Sequence, residues 1–231
     1  MSIADVKALC FDVFGTVVDW RGSIAREVDA MFHRDGHAFA DAWRGRYQPA
    51  MEEVRSGRRP WVKLDTLHRE NLLAVLAEFE ITLGDDEIDH LNRVWHRLDP
   101  WPDAVEGLQR LKKRYILATL SNGNVALMVN IAKHAGLPWD VILGAEVAGA
   151  YKPSPQAYLG SAALLDLAPG ACMMVAAHNG DLVAAAACGL RTAFVARPGE
   201  HGPGQTSDLR ATPGFDLAAD SFVDLAGKLG C

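Results

Sequence analysis

The chain has 231 residues, of which 49% are hydrophobic and 23% are charged, and its formal net charge at pH 7 is -6. These values are typical of a globular protein that can bury a substantial core, and the acidic balance disfavours nucleic acid and anionic membranes as partners. No apolar run approaches membrane-spanning length, no secretion signal is evident and the four cysteines show no paired spacing, so we expect a cytoplasmic protein with reduced thiols.

Short apolar runs separated by helical patterns indicate an α/β fold. The runs predicted as strands are Val6–Phe11, Tyr115–Leu120, Val141–Leu143, Cys172–Ala177 and Thr192–Val195. The helical patterns between and before the later strands are Asp103–Arg114, Asn124–Ala135 with Asn124 as its cap, Pro155–Leu165 and Leu182–Cys188. This alternation predicts a Rossmann-like core, a parallel sheet with helices on both faces. A stretch rich in proline and glycine, Arg197–Gly204, is predicted to be a surface loop.

The segment between the first two predicted strands is too long for a simple crossover. Its pattern is helical, with abundant Ala, Leu, Glu and Arg, and it contains Trp43, Trp61 and Trp95, enough apolar bulk for a small core. The sequence therefore predicts a helical cap subdomain at residues 18–98, inserted after the first strand. Residues 1–17 and 99–231 are predicted to form the α/β core domain.

The first predicted strand ends in a carboxylate. Asp12 follows the apolar run and precedes a turn at Gly15 and Thr16. A charged residue at the end of a buried strand is costly unless it is solvated, paired or used, and ligands bind beyond the carboxyl ends of parallel strands. Asp12 is therefore a candidate for chemistry, and the plain alternative is an Asp that only caps the turn.

Polar residues also follow the next three predicted strands. They are Ser121 and Asn122 after the second strand, Lys152 after the third, and His178 and Asp181 after the fourth. Because parallel strands present their carboxyl ends on one side of the sheet, we expect these side chains to converge with Asp12. The sequence thus predicts an active site at this edge of the sheet.

The order of these residues resembles the motif set of the haloacid dehalogenase superfamily, whose first Asp is a covalent nucleophile. The motifs are Asp12-x-Phe14-Gly15-Thr16, Ser121-Asn122, Lys152-Pro153 and Asp181. The resemblance covers essentially the whole chain, and it implies that the helical insertion is the cap of that family.

Two positions depart from the phosphatases of the superfamily. Phe14 stands where those enzymes carry a general acid and base, and Ala177 stands where they carry a magnesium-binding acid. Both changes match the branch that cleaves carbon–halogen bonds, and the chain is similar to the type II (S)-2-haloacid dehalogenases. The resemblance implies hydrolysis of short (S)-2-haloalkanoic acids to (R)-2-hydroxy acids through an aspartyl ester, without metal or cofactor. The alternatives are a phosphatase of the same superfamily and a non-catalytic protein that binds a small carboxylate.

The resemblance also implies roles for the core residues. Asp12 attacks the carbon that bears the halogen, and Lys152 keeps Asp12 ionised unless it is only a solvated surface lysine. Asp181 positions Lys152 or the hydrolytic water. Thr16 and Ser121 hydrogen-bond the nucleophile and the substrate carboxylate, or are ordinary turn residues.

Further assignments concern the substrate and the halide. Arg44 stands where the family's cap carries its essential Arg, so its guanidinium cradles the halide or pairs with the substrate carboxylate. Arg46 is its nearest rival, and a surface salt bridge is the plain alternative. Asn122 donates its side-chain amide to the halide. Trp61 and Tyr158 fall at or near positions of the family's active site, and each is equally interpretable as a core residue.

The last motif differs from that of the best-known members, which carry Ser and Asn where this chain has Ala176 and His178. With an ordinary pKa of about 6.5, His178 is either the general base for the hydrolytic water or a hydrogen-bond donor in place of Asn.

Two expectations concern metals and partners. His33 and His37 have the spacing of a metal pair on a helix, but Gly36 lies between them and no third ligand is evident, so no metal site is expected there. The resemblance implies a small 2-haloacid as the binding partner. Members of the family are often dimers, so it also allows a homodimer.

Overall fold

In a computed structural model of the protein, which describes residues 3–231, the strands form a six-stranded parallel sheet and a two-stranded antiparallel ribbon. The strands are β1 Ala8–Phe11, β2 Val18–Asp19, β3 Asp99–Pro100, β4 Ile116–Ser121, β5 Val141–Gly144, β6 Cys172–Ala176, β7 Arg191–Val195 and β8 Leu217–Ala219. The sheet order is β5-β4-β1-β6-β7-β8. Because β1 lies between β4 and β6, the residues that follow these three strands meet at one edge.

The α-helices of the same residues fall into two groups separated by β3. The first group is α1 Trp20–Phe32, α2 Gly36–Gly45, α3 Tyr47–Arg55, α4 Leu64–Glu78 and α5 Asp85–Asn92. The second group is α6 Ala104–Leu111, α7 Val125–Ala135, α8 Ala145–Ala148, α9 Pro155–Leu164, α10 Asn179–Ala187 and α11 Phe222–Lys228. Short 3-10 helices lie at Ile3–Asp5, Arg93–Arg97 and Pro169–Ala171. None of the helices in residues 3–231 is both long and apolar enough to span a membrane.

Both faces of the sheet are buried, as β1 shows. Leu9 and Phe11 belong to one hydrophobic cluster, whereas Ala8 and Cys10 belong to another on the opposite face. The first cluster takes residues from α6, α7 and α11, and the second takes residues from α9 and α10. The α/β fold class expected from the sequence is therefore confirmed, and a strand buried on both faces explains the unbroken apolar run of β1.

The structure extends the predicted sheet and shifts its bounds. The first strand begins at Ala8 rather than Val6, and β8 and α11 add an edge that the apolar pattern did not reveal. Three residues are too few to display an alternating pattern, and in β8 Leu217 is only half-buried and Ala218 is exposed. The ribbon of β2 and β3 was likewise not predicted, for the same reason of length.

The five helices between β2 and β3 pack around an aromatic core. Trp43 and Trp95 are buried with ring centroids 5.6 Å apart, and Phe14 of the core packs edge-on against Trp95 at 5.5 Å. The expectation that Trp61 contributes to this core is wrong, because its side chain is 37% exposed. The ribbon joins the two ends of the insertion, where the boundaries of the proposed cap at 17/18 and 98/99 also fall.

Asn124 does not cap α7 with its side chain, although it occupies the N-cap position. Its amide donates to Asp65 of α4 at 2.9 Å, and its carbonyl oxygen accepts from the Asp65 backbone at 3.2 Å. Glu146 instead caps the start of α7, because its carboxylate accepts a hydrogen bond from the N–H of Val125 at 2.6 Å. Asn124 thus links the sheet edge to the inserted helices.

Candidate active site

Asp12 directly follows β1, and a tight turn carries the chain away from the sheet. The Asp12 N–H still donates to the carbonyl oxygen of Val175 at 3.0 Å, so the sheet hydrogen bonding fixes its backbone. Gly15 then adopts a φ of 82°, which L side chains rarely adopt. A Cβ at Gly15 would also collide with the carboxylate of Glu200, so glycine is required there on two grounds.

Three side chains donate hydrogen bonds to the buried Asp12 carboxylate. Lys152 Nζ lies 2.9 Å from Oδ1, Thr16 Oγ1 lies 2.8 Å from Oδ2, and His178 Nδ1 lies 3.1 Å from Oδ2. Burial alone would raise the pKa of Asp12, but the charge of Lys152 and the hydrogen bond from His178 outweigh it and hold that pKa far below its usual range. Asp12 is therefore an ionised carboxylate at neutral pH.

Lys152 bridges Asp12 and Asp181. Its ammonium donates to Asp181 Oδ2 at 2.5 Å, and the Tyr158 hydroxyl donates to the other oxygen of Asp181 at 2.6 Å. Burial opposes the charge of Lys152, but Asp12 and Asp181 outweigh this and raise its pKa. The backbone is fixed as well, because the Lys152 N–H donates to Asn122 Oδ1 at 2.8 Å. The plain alternative of a solvated surface lysine is wrong, since Lys152 is 7% exposed.

His178 lies between two carboxylates. Its Nδ1 faces Asp12, and its Nε2 lies 2.8 Å from Oε2 of Glu200. Burial would lower the pKa of His178, but the hydrogen bonds with Asp12 and Glu200 outweigh it and raise that pKa to about 10. The ordinary pKa assumed from the sequence is thus wrong for the resting site. Here His178 is an imidazolium that donates from both nitrogens, and it can act as a base only after it loses a proton.

Glu200 is a site residue that sequence reasoning missed. It lies in the loop predicted to be at the surface, yet it is only 1% exposed and also accepts from Trp20 Nε1 at 3.0 Å. Arg197 of the same loop is buried, pairs with Asp103 at 2.9 and 3.0 Å and donates to the carbonyl oxygen of Thr16. One signal could have found Glu200: its loop leaves β7 at the same sheet edge as the other site residues.

A cavity of about 870 Å³ opens in front of Asp12, a size typical of small-molecule sites. It lies between the sheet edge and the inserted helices. Its lining includes Asp12, Asn122, Lys152, Tyr158, His178 and Asp181 from the core, and Trp20, Arg44, Tyr47, Gln48 and Arg55 from the insertion. Carboxylates line the cavity too, namely Asp12, Asp41, Asp181 and Asp208, so its basic side chains do not give it a net positive charge. Lys152 is already paired with Asp12 and Asp181, which leaves Arg44 as a charged donor for a small anion.

The structure separates Arg44 from Arg46. The Arg44 guanidinium stacks 4.0 Å from the ring centroid of Tyr47 at the cavity wall, and its Nη1 is buried without a hydrogen-bond partner among residues 3–231. Arg46 instead forms an exposed salt bridge with Glu78 at 2.8 Å. An unpaired buried guanidinium donor is costly, so Arg44 has the geometry of a group that awaits an anion.

The other predicted site residues divide into two sets. Asn122 and Tyr158 line the cavity, and Asn122 also interacts with the Tyr47 hydroxyl. Thr16 and Ser121 are fully buried behind the wall, where Thr16 acts on Asp12 and the Ser121 hydroxyl accepts from a backbone N–H at 3.1 Å. A direct contact of Thr16 or Ser121 with substrate is therefore not supported.

Trp61 requires a second correction, because it does not reach the cavity. Its ring packs against Tyr151, with centroids 4.7 Å apart, on the outside of the insertion. The Tyr151 hydroxyl donates to the backbone oxygen of Val62 at 2.6 Å, which fixes the partner ring beside Trp61. The expectation that Trp61 lies at the active site is therefore wrong, because its side chain is not part of the cavity wall.

The site does not fit the magnesium ion that the resemblance assigns to related phosphatases. Ala177, at the position of their metal-binding acid, is buried and apolar, and Phe14 offers no oxygen ligand. Two cationic side chains, Lys152 and His178, already contact Asp12 and would repel a divalent ion. The residues around Asp12 are therefore not those of a magnesium site.

Comparisons with known proteins agree with this geometry. The model of the haloacid dehalogenase-like hydrolase family matches residues 6–189. The chain is 28% identical over 200 residues to (S)-2-haloacid dehalogenase 4A of Burkholderia cepacia, which covers 85% of this chain and 86% of that protein. Among solved structures, the defluorinating L-2-haloacid dehalogenase Rha0230 is 52% identical with a TM-score of 0.95, covering 98% of this chain and 96% of that one.

The L-2-haloacid dehalogenase PA0810 is 49% identical with the same TM-score of 0.95, covering 97% of this chain and 99% of that one. The similarity therefore extends through both the sheet and the inserted helices. Because the family model matches well over half of its length, the chain belongs to the haloacid dehalogenase-like hydrolases.

Proposed function

We propose that the protein is a 2-haloacid dehalogenase that converts short (S)-2-haloalkanoic acids to (R)-2-hydroxy acids through an ester of Asp12. The observation that carries the proposal is the state of Asp12: an ionised carboxylate, held by three donors, at the wall of a cavity that Arg44 also lines. The similarity to dehalogenases over nearly the whole chain supports the same substrate class.

In the first step, a carboxylate oxygen of Asp12 attacks the carbon that bears the halogen, opposite the carbon–halogen bond. The oxygen–carbon bond forms, the carbon–halogen bond breaks with its electron pair on the halide, and the carbon inverts. A halide needs no proton to leave, so Phe14 in place of a general acid is consistent with this chemistry. Arg44 and Asn122, at the cavity wall, supply donors for the halide and the substrate carboxylate.

In the second step, water attacks the carboxyl carbon of the Asp12 ester. The bond between that carbon and the substrate oxygen breaks, the hydroxy acid leaves and the Asp12 carboxylate is restored. Lys152, which contacts Oδ1, stabilises the negative charge that develops on the carbonyl oxygen of the ester during this attack.

One assay separates the candidate functions. Halide release from (S)-2-chloropropionate and phosphate release from an aryl phosphate are measured in parallel, each with and without a chelator. A dehalogenase releases halide only, and chelation is expected to leave the rate unchanged because Lys152 and His178 already occupy the oxygens of Asp12 and Ala177 offers no ligand. Phosphate release that depends on magnesium would show that the protein is a phosphatase. Release of neither ion would favour the alternative of a non-catalytic protein that binds a small carboxylate.

The proposal extends to carbon–fluorine bonds. It is supported by the 52% identity to a structure named as a defluorinating enzyme and by the number of cationic donors around the cavity. Fluoride is the poorest leaving group of the halides and depends most on such donors. A fluoride electrode with 2-fluoropropionate as substrate tests this extension, with slower release than from the chloro acid as the expected result.

The remaining partners are also proposals. The net charge of -6 supports the absence of a nucleic-acid partner. A homodimer and a cytoplasmic location rest on the resemblance and on the sequence pattern alone. Light scattering coupled to size-exclusion chromatography distinguishes a mass of 25.0 kDa from twice that value.

A further inference from the structure

The carboxylate of Glu200 joins three separate parts of the chain. It belongs to the loop after β7, accepts from Trp20 at the start of the insertion, and contacts His178 after β6. The loop itself is fixed by Arg197, which pairs with Asp103 through two hydrogen bonds. A buried carboxylate held this firmly against an imidazole defines where the protons of that imidazole lie.

The two carboxylates that contact His178 do not have the same fate during the reaction. Asp12 faces Nδ1 and becomes a neutral ester in the first step, whereas Glu200 faces Nε2 and keeps its charge. The imidazolium then loses one of the two carboxylates that stabilised it. The proton on Nδ1 has lost its charged acceptor, so it is the proton that departs to solvent.

We propose that Glu200 is a positioning residue for ester hydrolysis: it holds the remaining proton of His178 on Nε2, so that Nδ1 becomes the base for water beside the Asp12 ester. This inference rests on the proposed function. The arrangement resembles that of a catalytic Ser-His-Asp triad, in which a buried carboxylate fixes the tautomer of the histidine, with the two ring nitrogens exchanged.

The protons balance over the cycle. An O–H bond of water breaks, the proton goes to Nδ1 of His178 and the oxygen bonds to the carboxyl carbon of Asp12. Collapse of the intermediate breaks the bond to the substrate oxygen, and the alkoxide takes the proton of the new carboxyl group. Asp12 returns as a carboxylate and His178 as an imidazolium. The proton that His178 gave to solvent is the one proton that hydrolysis of a carbon–halogen bond must release.

The test separates the two steps by rapid chemical quench of the full-length protein with (S)-2-chloropropionate. Glu200→Gln keeps the shape of the side chain but removes its charge and lets the Nδ1–H tautomer form. We expect a burst of one chloride per site at a rate close to that of the unaltered protein. Hydroxy-acid release should be slower by about tenfold or more, with the Asp12 ester detected by mass spectrometry of the quenched protein.

Asp103→Asn is the control, because it removes the charge that pairs with Arg197 of the same loop, whereas Glu200 keeps its own charge and its contacts with Trp20 and His178. It should change both steps in proportion and accumulate no ester. If Glu200→Gln does not fold, as judged by thermal unfolding, Glu200→Asp keeps the charge but withdraws it from Nε2 and should give a smaller accumulation.

Proportional loss of both steps in the Glu200 variants, or an unchanged ratio of the two rates, would overturn the role of Glu200. Failure of the proposed function looks different. In that case the unaltered protein releases no chloride at all.

Discussion

The ammonium group of Lys152 lies 2.9 Å from Oδ1 of Asp12, and both side chains are less than one tenth exposed. Such a pair differs from a surface salt bridge because a buried charge is not hydrated by solvent when its partner is removed. The nucleophile of this site therefore depends on Lys152 for its ionised state as well as for its position.

Lys152→Met is expected to lower the dehalogenation rate at pH 7 by on the order of 100-fold or more, because the pKa of Asp12 loses its main lowering influence. It should also lower the free energy of unfolding by up to about 3 kcal/mol, since Asp12 keeps two other donors. Urea unfolding and steady-state kinetics measure the two effects. Lys112→Met removes an exposed pair with Asp140 and is the control, with almost no effect expected on either quantity. Equal effects of the two substitutions would contradict this account.

Single turnover in oxygen-18 water tests the ester directly. Water attacks the carboxyl carbon of the ester, so the label should appear in the Asp12 side chain, and peptide mass spectrometry should show it there. The hydroxy acid of the first turnover should carry unlabelled oxygen from Asp12. Label found only in the hydroxy acid would mean that water attacks the substrate itself and that Asp12 is not the nucleophile.

Arg44→Lys should lower kcat by about tenfold or more, because Lys keeps the charge but lacks the planar guanidinium that stacks on Tyr47. The loss should be larger for a chloro than for a bromo substrate, since the poorer leaving group depends more on donors. Arg46→Lys is the matched control, because Arg46 pairs with Glu78 at an exposed position. The reverse ranking of the two substitutions would show that the cavity-facing Arg44 is not the residue that assists the leaving group.

The raised pKa of His178 makes stability dependent on pH in a definite direction. The folded state holds the imidazolium up to a pKa of about 10, whereas the ordinary pKa of a free histidine side chain is 6.5. The stabilisation is therefore fully present below pH 6.5 and is lost as the pH rises towards about 10. Urea unfolding of the unaltered protein and of His178→Asn at several pH values between 6 and 10 measures it. The difference in the free energy of unfolding between the two proteins should shrink as the pH rises. A difference that stays constant would show that the pKa of His178 is not raised in the folded state.

The sequence predicted those parts of the fold and site that follow from strand ends. Long apolar runs identify strands buried on both faces, and parallel strands bring their carboxyl ends together, so Asp12, Asn122, Lys152 and Asp181 were found. The edge strand β8 could not be found in this way, because three residues, of which only Ala219 is buried, carry too weak a pattern.

Contacts between distant segments were beyond the reach of the sequence pattern. Glu200 is buried because Trp20 and His178 surround it, and neither lies near it in the chain. Trp61 is a large apolar residue of the kind found in cores, but it packs against Tyr151 on the outside of the inserted helices. In both cases the neighbours that decide burial come from other elements, which a local pattern of apolar residues does not record.

Gly15 and Glu200 occupy adjoining space, and this has a consequence for how the family can vary. A methyl group on Gly15 would fall on the carboxylate of Glu200, so a relative with any side chain at position 15 has to move or lose the acid at position 200. Since the φ of 82° already requires glycine at position 15, the constraint falls on position 200, and an acid is expected there only in relatives that keep this glycine. In a relative without the acid at position 200, a histidine at position 178 would lack its second carboxylate. We therefore expect a residue other than histidine at position 178 in such relatives.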